Sequence, residues 1–244
     1  AASIDFSAGT TGAVSNFATQ YIFGSTVNSG TLSLGTNGIA LRSGSMAATQ
    51  TFNSAVSIGG NTTFTNQATS AGVQLVMNGN IAATSSGTLT LAGSNAIVIN
   101  GGISGSTGLN STSTGTATLS GVNTYTGKTT ISAGTLLFSS TSSLYNGSTA
   151  SWTASNITTG SGAVIALAVG GSNGFTDSNI QTIIGSGFFN FGTNNGMLAG
   201  SSIGFDTTNS GSAFVVTAGI KNTTYLGGGS VGLVKLGAGT LVLR

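Results

Sequence analysis

Apolar residues recur at every second position in short bursts, and several bursts open with the same small phrase. Ser29-Gly30-Thr31-Leu32-Ser33-Leu34 returns as Ser86-Gly87-Thr88-Leu89-Thr90-Leu91, as Ala133-Gly134-Thr135-Leu136-Leu137-Phe138, and as Ala238-Gly239-Thr240-Leu241-Val242-Leu243. Leucines two apart lie on one face of a strand, and the preceding glycine permits a tight turn at positive φ. Further short strands are expected at Ala96-Ile97-Val98-Ile99, Thr129-Thr130-Ile131, Val164-Ile165-Ala166-Leu167 and Phe214-Val215-Val216, bounded by Gly, Asn and Ser. Many short strands punctuated by turns point to a sandwich, a barrel or a solenoid. Phrases that repeat at irregular spacing favour a degenerate solenoid, because one coil cannot bury its apolar face while stacked coils share a core.

One stretch has helical spacing. Thr176 or Asp177 caps it, Ile180, Ile183 and Ile184 share a face, and Gly185 stops it, so a short helical turn is expected near 177–184. Phe188-Phe189-Asn190-Phe191 is a dense aromatic cluster, in which Phe188 and Phe189 point opposite ways, one to the core and the other under the short helix or to a contact surface.

Composition sharpens the choice. Only 3% of the 244 residues are charged, with net charge +2, no proline and no cysteine. Disordered chains are charge-rich and proline-rich, and recurrent Val, Ile, Leu and Phe argue against disorder here. A sandwich usually carries a charged outer face, whereas stacked coils tolerate a Ser/Thr/Asn exterior whose side chains ladder between turns. Roughly 20 to 25 residues per coil at ~4.8 Å per coil predicts about ten coils in a rod roughly 50 Å long. The expected fold is therefore all-β, a right-handed parallel β-helix forming one domain over residues 1–244, continued by another chain or by missing sequence.

Leu119-Ser120-Gly121-Val122-Asn123-Thr124-Tyr125-Thr126-Gly127-Lys128-Thr129-Thr130-Ile131-Ser132-Ala133-Gly134-Thr135-Leu136 resembles the autotransporter-associated β-strand repeat, also called the passenger-associated transport repeat. Lys128 stands where a second glycine is common. Gly232 to Leu243 resembles the lead-in half of the same repeat. The resemblance implies the right-handed parallel β-helix of a bacterial surface passenger, roles in adhesion, aggregation or spacing, and no catalytic residues. The pattern stops at Arg244 in mid-phrase, which reads as a fragment, as cleavage after Arg244, or as a stack continued by another protomer.

Without His, Ser-His-Asp and Cys-His nucleophile systems are excluded, and with no Cys either, so are the usual zinc sites. There is no Glu, and Asp5, Asp177 and Asp206 are far apart in sequence. A glycosidase needs a carboxylate pair. Asp177 reads better as a helix cap and Asp206 as a turn acid. Gly227-Gly228-Gly229 lacks the Gly-Lys-Ser/Thr of a phosphate loop. Trp152, Tyr21, Tyr125 and Tyr145 are candidates for stacking on sugars, with core packing the plainer assignment. Five dispersed cations make no nucleic-acid patch, and no apolar run reaches the ~20 residues of a membrane-spanning helix. No catalytic residue, metal ligand or cofactor is expected. Ala1-Ala2-Ser3 is what cleavage of a signal peptide leaves, or simply where the sequence begins.

The expected function is a non-enzymatic, extracellular or cell-surface structural protein that forms a homopolymer through its coil ends. Ile4, Phe6, Leu241 and Leu243 are the candidate polymer contacts. The alternative is the stalk or adhesin fragment of an autotransporter, meeting surface glycans or other cells. A polysaccharide-acting β-helix enzyme is the remote third.

Overall fold

The computed structural model describes residues 22–42, 48–185, 195–222 and 229–244, together with the backbone of residues 4–6. The Phe188–Phe191 cluster and Tyr21 lie outside them. The alternating bursts form strands whose pairings are all parallel. The chain winds as a right-handed parallel β-helix, the hand that crossovers between parallel strands favour.

Each coil crosses two or three faces. The first face holds β1 (Ile4–Phe6), β4 (Ile39–Leu41), β7 (Thr62–Asn66), β10 (Gly87–Gly93), β13 (Thr107–Ser111), β15 (Thr129–Ile131), β17 (Ile157–Thr159) and β19 (Gly196–Met197). The second holds β2 (Ile22–Phe23), β5 (Gln50–Phe52), β8 (Leu75–Met77), β11 (Ile97–Ile99), β14 (Thr116–Leu119), β16 (Thr135–Phe138), β18 (Val164–Ala168), β20 (Ser202–Asp206) and β22 (Gly232–Leu236). On the third lie β3 (Thr31–Gly35), β6 (Ala55–Gly59), β9 (Ile81–Ser85) and β12 (Ile103–Ser104), and later the pair β21 (Phe214–Val216) and β23 (Leu241–Leu243). Between β12 and β21 the third face is built from a loop, three single 3-10 turns within 141–151, and α1 (Asp177–Ile183).

The nine strands of the second face set the number of described coils at nine, about 43 Å of stack at ~4.8 Å per coil. Ile99 pairs with Leu119 twenty residues on, as a uniform coil would. Leu167 pairs with Phe205 thirty-eight residues on, because that coil carries α1 as an outward insertion. Inward positions of the second face form buried apolar columns, such as Met77, Ile99, Leu119, Phe138, Leu167 and Phe205. The first face mixes in hydroxyls: Phe64, Leu91, Ser111, Ile131 and Thr159 make one buried column. At the foot of the second face Phe23 stacks on Phe52, ring centroids 4.5 Å apart and nearly coplanar.

The recurring phrase does not mark one face. Its copies open β3 on the third face, β10 on the first, β16 on the second and β23 on the third. It encodes a corner plus a strand, and the length of the intervening chain decides which face receives it. Nor does its glycine always serve the turn conformation expected of it. Gly30 and Gly134 have positive φ. At Gly87 and Gly239 the reason is close approach: a Cβ would lie 2.3 Å from the Gly60 carbonyl carbon and 2.4 Å from the Thr207 carbonyl oxygen.

Candidate functional site

In a chain with so little ionisable chemistry, the candidate sites are where polar side chains converge. The first is the corner after the second face. Asn53, Asn78 and Asn100 follow β5, β8 and β11 and form an amide ladder: Asn100 Nδ2 donates to Asn78 Oδ1 (2.8 Å), and Asn78 Nδ2 to Asn53 Oδ1 (2.9 Å). Beside it, Gly79, Gly101 and Gly121 each press on the coil below. A Cβ at Gly101 would stand 2.1 Å from the Gly79 carbonyl oxygen, and one at Gly121 2.3 Å from that of Gly101. The sequence shows this as Asn78-Gly79 and Asn100-Gly101 behind an alternating triplet, a second repeat that the Gly-Thr-Leu reading passes over.

The second is the Asn123–Tyr145 junction, where the third face loses its sheet. Asn123 is fully buried. Its Oδ1 accepts from Ile103 N (2.8 Å) and its Nδ2 donates to Ser143 O (2.7 Å). One carboxamide thus replaces a peptide group between β12 and the 3-10 turns two coils on. Tyr125 turns inward, its hydroxyl 2.7 Å from Thr129 Oγ1, and Thr129 Oγ1 donates to the Tyr145 hydroxyl (3.0 Å). The Tyr145 hydroxyl in turn reaches the Gly127 and Asn156 carbonyls at 2.9 and 3.0 Å. The rings tilt together with centroids 5.0 Å apart. Burial pushes the Tyr125 hydroxyl far above the ordinary phenol range, with Tyr145 nearby adding to the shift. Burial raises Tyr145 too. Both phenols stay protonated, as structural hydrogen-bonding groups must. Trp152, also fully buried, donates Nε1 to Leu144 O (2.9 Å) and packs on Phe175 at 5.6 Å. Three of the residues considered for sugar stacking therefore face the core.

The third is a groove outside that corner. Where the ladder changes from asparagine to Ser120 and Ser139, the side chains shorten and the surface sinks. A groove of about 590 Å³ runs from Ser120 past Ser139, Ser142 and Asn173 to Asn209. Another of about 490 Å³ shares Ser120 and continues past Asn100 and Val122 to Asn80. Among the described residues, no charged side chain lines either one.

The two acids sit apart in separate networks. Thr176, not Asp177, is the N-cap of α1, in a reciprocal capping box with Asn179. Asp177 instead clasps the next coil: its Oδ1 accepts from Thr217 N (2.8 Å) and its Oδ2 from Thr217 Oγ1 (2.6 Å) and Gln181 Nε2 (2.8 Å). The Thr217 hydrogen bonds hold its carboxyl below its ordinary value. Asp206 Oδ1 accepts from Thr208 N and Oγ1, the geometry of a turn acid. Among the described residues, no three His, Cys, Asp or Glu side chains gather closely enough to hold a metal ion, and no helix is long and apolar enough to cross a membrane. Of the candidate polymer contacts, Ile4 and Phe6 lie in β1, the outermost strand of the first face, paired with Ile39 and Leu41. Leu241 and Leu243 lie in β23 in the last coil, paired with Phe214 and Val216. The fold brings these two sets to opposite ends of the stack.

The model of the Passenger-associated-transport-repeat matches residues 109–138 and 233–244. Over those two segments the chain is similar to this passenger repeat. The longer match begins within β13 and contains Asn123, Tyr125 and Gly127 of the junction, while the shorter one runs from Leu233 in β22 through β23. Neither the curated proteins nor the solved structures give a match.

Proposed function

We propose that the chain is a non-catalytic structural segment of an exported passenger, a stiff rod that spaces or displays neighbouring sequence. The observation that carries this reading is the second face, nine parallel strands in continuous succession. The asparagines, glycines and buried tyrosines around it are engaged in holding one coil to the next. A fibre subunit assembled end to end is the finer form of the same reading. It is supported by the scarcity of charge, which opposes association little, and by Leu233 and Leu243, 40% and 51% exposed on the last coil. A further coil in register, from continuing sequence or from a second copy, would cover them.

Negative-stain electron microscopy across a concentration series tests the finer form. Fibres that lengthen with concentration support it. Separate short rods at every concentration discard it and leave the passenger stalk, for which the species on cells is expected to exceed the 23.6 kDa of this chain. Turnover of a polysaccharide that is lost in Asp177→Asn or Asp206→Asn would overturn the non-catalytic reading altogether.

The continuous groove supports a second, compatible role as a contact for neutral glycans. Its walls offer hydroxyls and carboxamides. Binding of neutral glycans that weakens when Ser139 and Asn173 are replaced by bulky apolar residues is the expected result. Equal binding by both forms would show that the groove does not hold the glycan.

A further inference from the structure

Six Asn-Gly pairs occur in the chain, at Asn37, Asn78, Asn100, Asn146, Asn173 and Asn195. Such pairs can deamidate spontaneously: the glycine nitrogen attacks the asparagine Cγ, ammonia leaves, and water opens the resulting succinimide to aspartate or isoaspartate. The attack needs a free carboxamide and a peptide unit that can swing.

We infer that the fold blocks this reaction at five of the pairs and leaves Asn146–Gly147 as a site of spontaneous modification. Asn78 and Asn100 are tied into the amide ladder, and their glycines press on carbonyls of the adjacent coil at 2.0 and 2.1 Å from an ideal Cβ. Asn37 Nδ2 is held by Leu34 O (3.2 Å), and Gly38 abuts Thr63 O. Asn195 accepts from Thr158 Oγ1, and Gly196 is paired in β19. The Asn173 carboxamide faces the groove, but Gly174 is wedged against Gly170 O in a turn closed by Gly170 and Phe175.

Asn146 differs on both counts. It is exposed and its carboxamide has no hydrogen bond among those described. Gly147 has no neighbour nearer than 3.9 Å to an ideal Cβ, and its nitrogen is held only by the 3-10 bond to Leu144 O (3.1 Å). Asn146 also sits at φ 52°, next to Tyr145 at φ 50°, a conformation that only Gly, Asn and Asp adopt cheaply. The reaction has a structural consequence. Asn146 lines a pocket of about 260 Å³ with Tyr125, Tyr145 and Asn156. Its product would add a carboxylate to a chain with three acids, and isoaspartate would lengthen the backbone beside the tyrosine that holds Gly127 and Asn156.

The test uses the folded chain, with the six pairs as controls for one another. It is incubated in mildly alkaline buffer, digested, and each Asn-Gly peptide is followed by mass spectrometry that separates aspartate from isoaspartate. Asn146 is expected to convert to both products first. The other five should react at least about tenfold more slowly, because they react only from locally opened coils, and should catch up once denaturant unfolds the chain. Conversion of Asn78 or Asn100 as fast as Asn146 in the folded chain would overturn the inference. So would an intact Asn146 after a period in which the unfolded chain has reacted at all six.

Discussion

The coils around β5 to β14 and those around β16 to β20 meet the same demand, coil held on coil, with different side chains. In the first group coil length settles toward twenty residues, the corners superpose, and identical groups stack: asparagine on asparagine, glycine on glycine. In the second group consecutive coils differ by an α-helix or a set of 3-10 turns, so no residue type can repeat in register on the third face. Large buried residues take over. Tyr125, Tyr145, Trp152 and Phe175 fill the space between unlike coils, and each polar tip finds a specific partner. Regularity lets small polar residues do the stacking, and irregularity has to be filled with area. The repeat signature falls at the boundary, where Asn123 joins the last strand of one regime to the first turns of the other.

Replacing the two kinds of support separately should break this contrast open. The largest loss is expected for Trp152→Ala, which empties a fully buried site and removes the bond to Leu144. About 3–5 kcal/mol should be lost, seen as faster hydrogen exchange through the 3-10 turns and α1 while the laddered coils keep their protection. Gly101→Ala comes next. Its methyl group would meet the Gly79 carbonyl oxygen at 2.1 Å, and about 1–3 kcal/mol of overpacking should show as lost protection confined to the laddered coils. If it destabilised the aromatic coils equally, the division between the two groups would be wrong.

Smaller effects sharpen the picture. Tyr125→Phe keeps the ring and removes a hydroxyl whose partner Thr129 still has Tyr145. A loss of about 1 kcal/mol in chemical denaturation is expected. Asn78→Ala cuts the ladder in the middle, with a similar loss of about 1 kcal/mol read in the same way. The weakest effect should come from pH. The Asp177 carboxyl has a lowered value in the fold, so its contribution is complete above the unfolded value of about 3.9 and is lost as pH falls through the lower folded one. Below that point the link from α1 to Thr217 should open. Faster exchange at Thr217 in acid, absent in Asp177→Asn, is the expected reading.

The sequence displays its strands well because alternation is a local signal. β11, β15, β18 and β21 fall on the segments its pattern marks, and α1 falls on the isoleucine spacing after Thr176. The coil count was legible only approximately, since period comes from the turns, and the third-face insertions lengthen coils without touching the alternating core. The least legible feature is the junction. Asn123 and Tyr125 could be recognised as a signature, yet their partners Ser143, Thr129 and Tyr145 are joined to them by the winding of the chain. The 3-10 turns left only a faint trace, the Ser140 and Ser143 capping box. The candidate end contacts could be marked on the sequence because they flank it, but which face each strand joins depends on the lengths between.

Rung number, not sequence distance, sets position along the molecule. The chain has no cysteine, so introduced pairs can carry spin labels without background. Val76, Val98, Thr118, Leu137, Ala166, Gly204 and Val234 form one column of successive rungs. Double electron–electron resonance between labels at Val76 and Val234 is predicted to give about 29 Å, and between Val98 and Val234 about 24 Å, one rung of ~4.8 Å less. Narrow distributions that step by one rung would uphold the stack. Broad distributions, or two distances that do not differ by a rung, would contradict it.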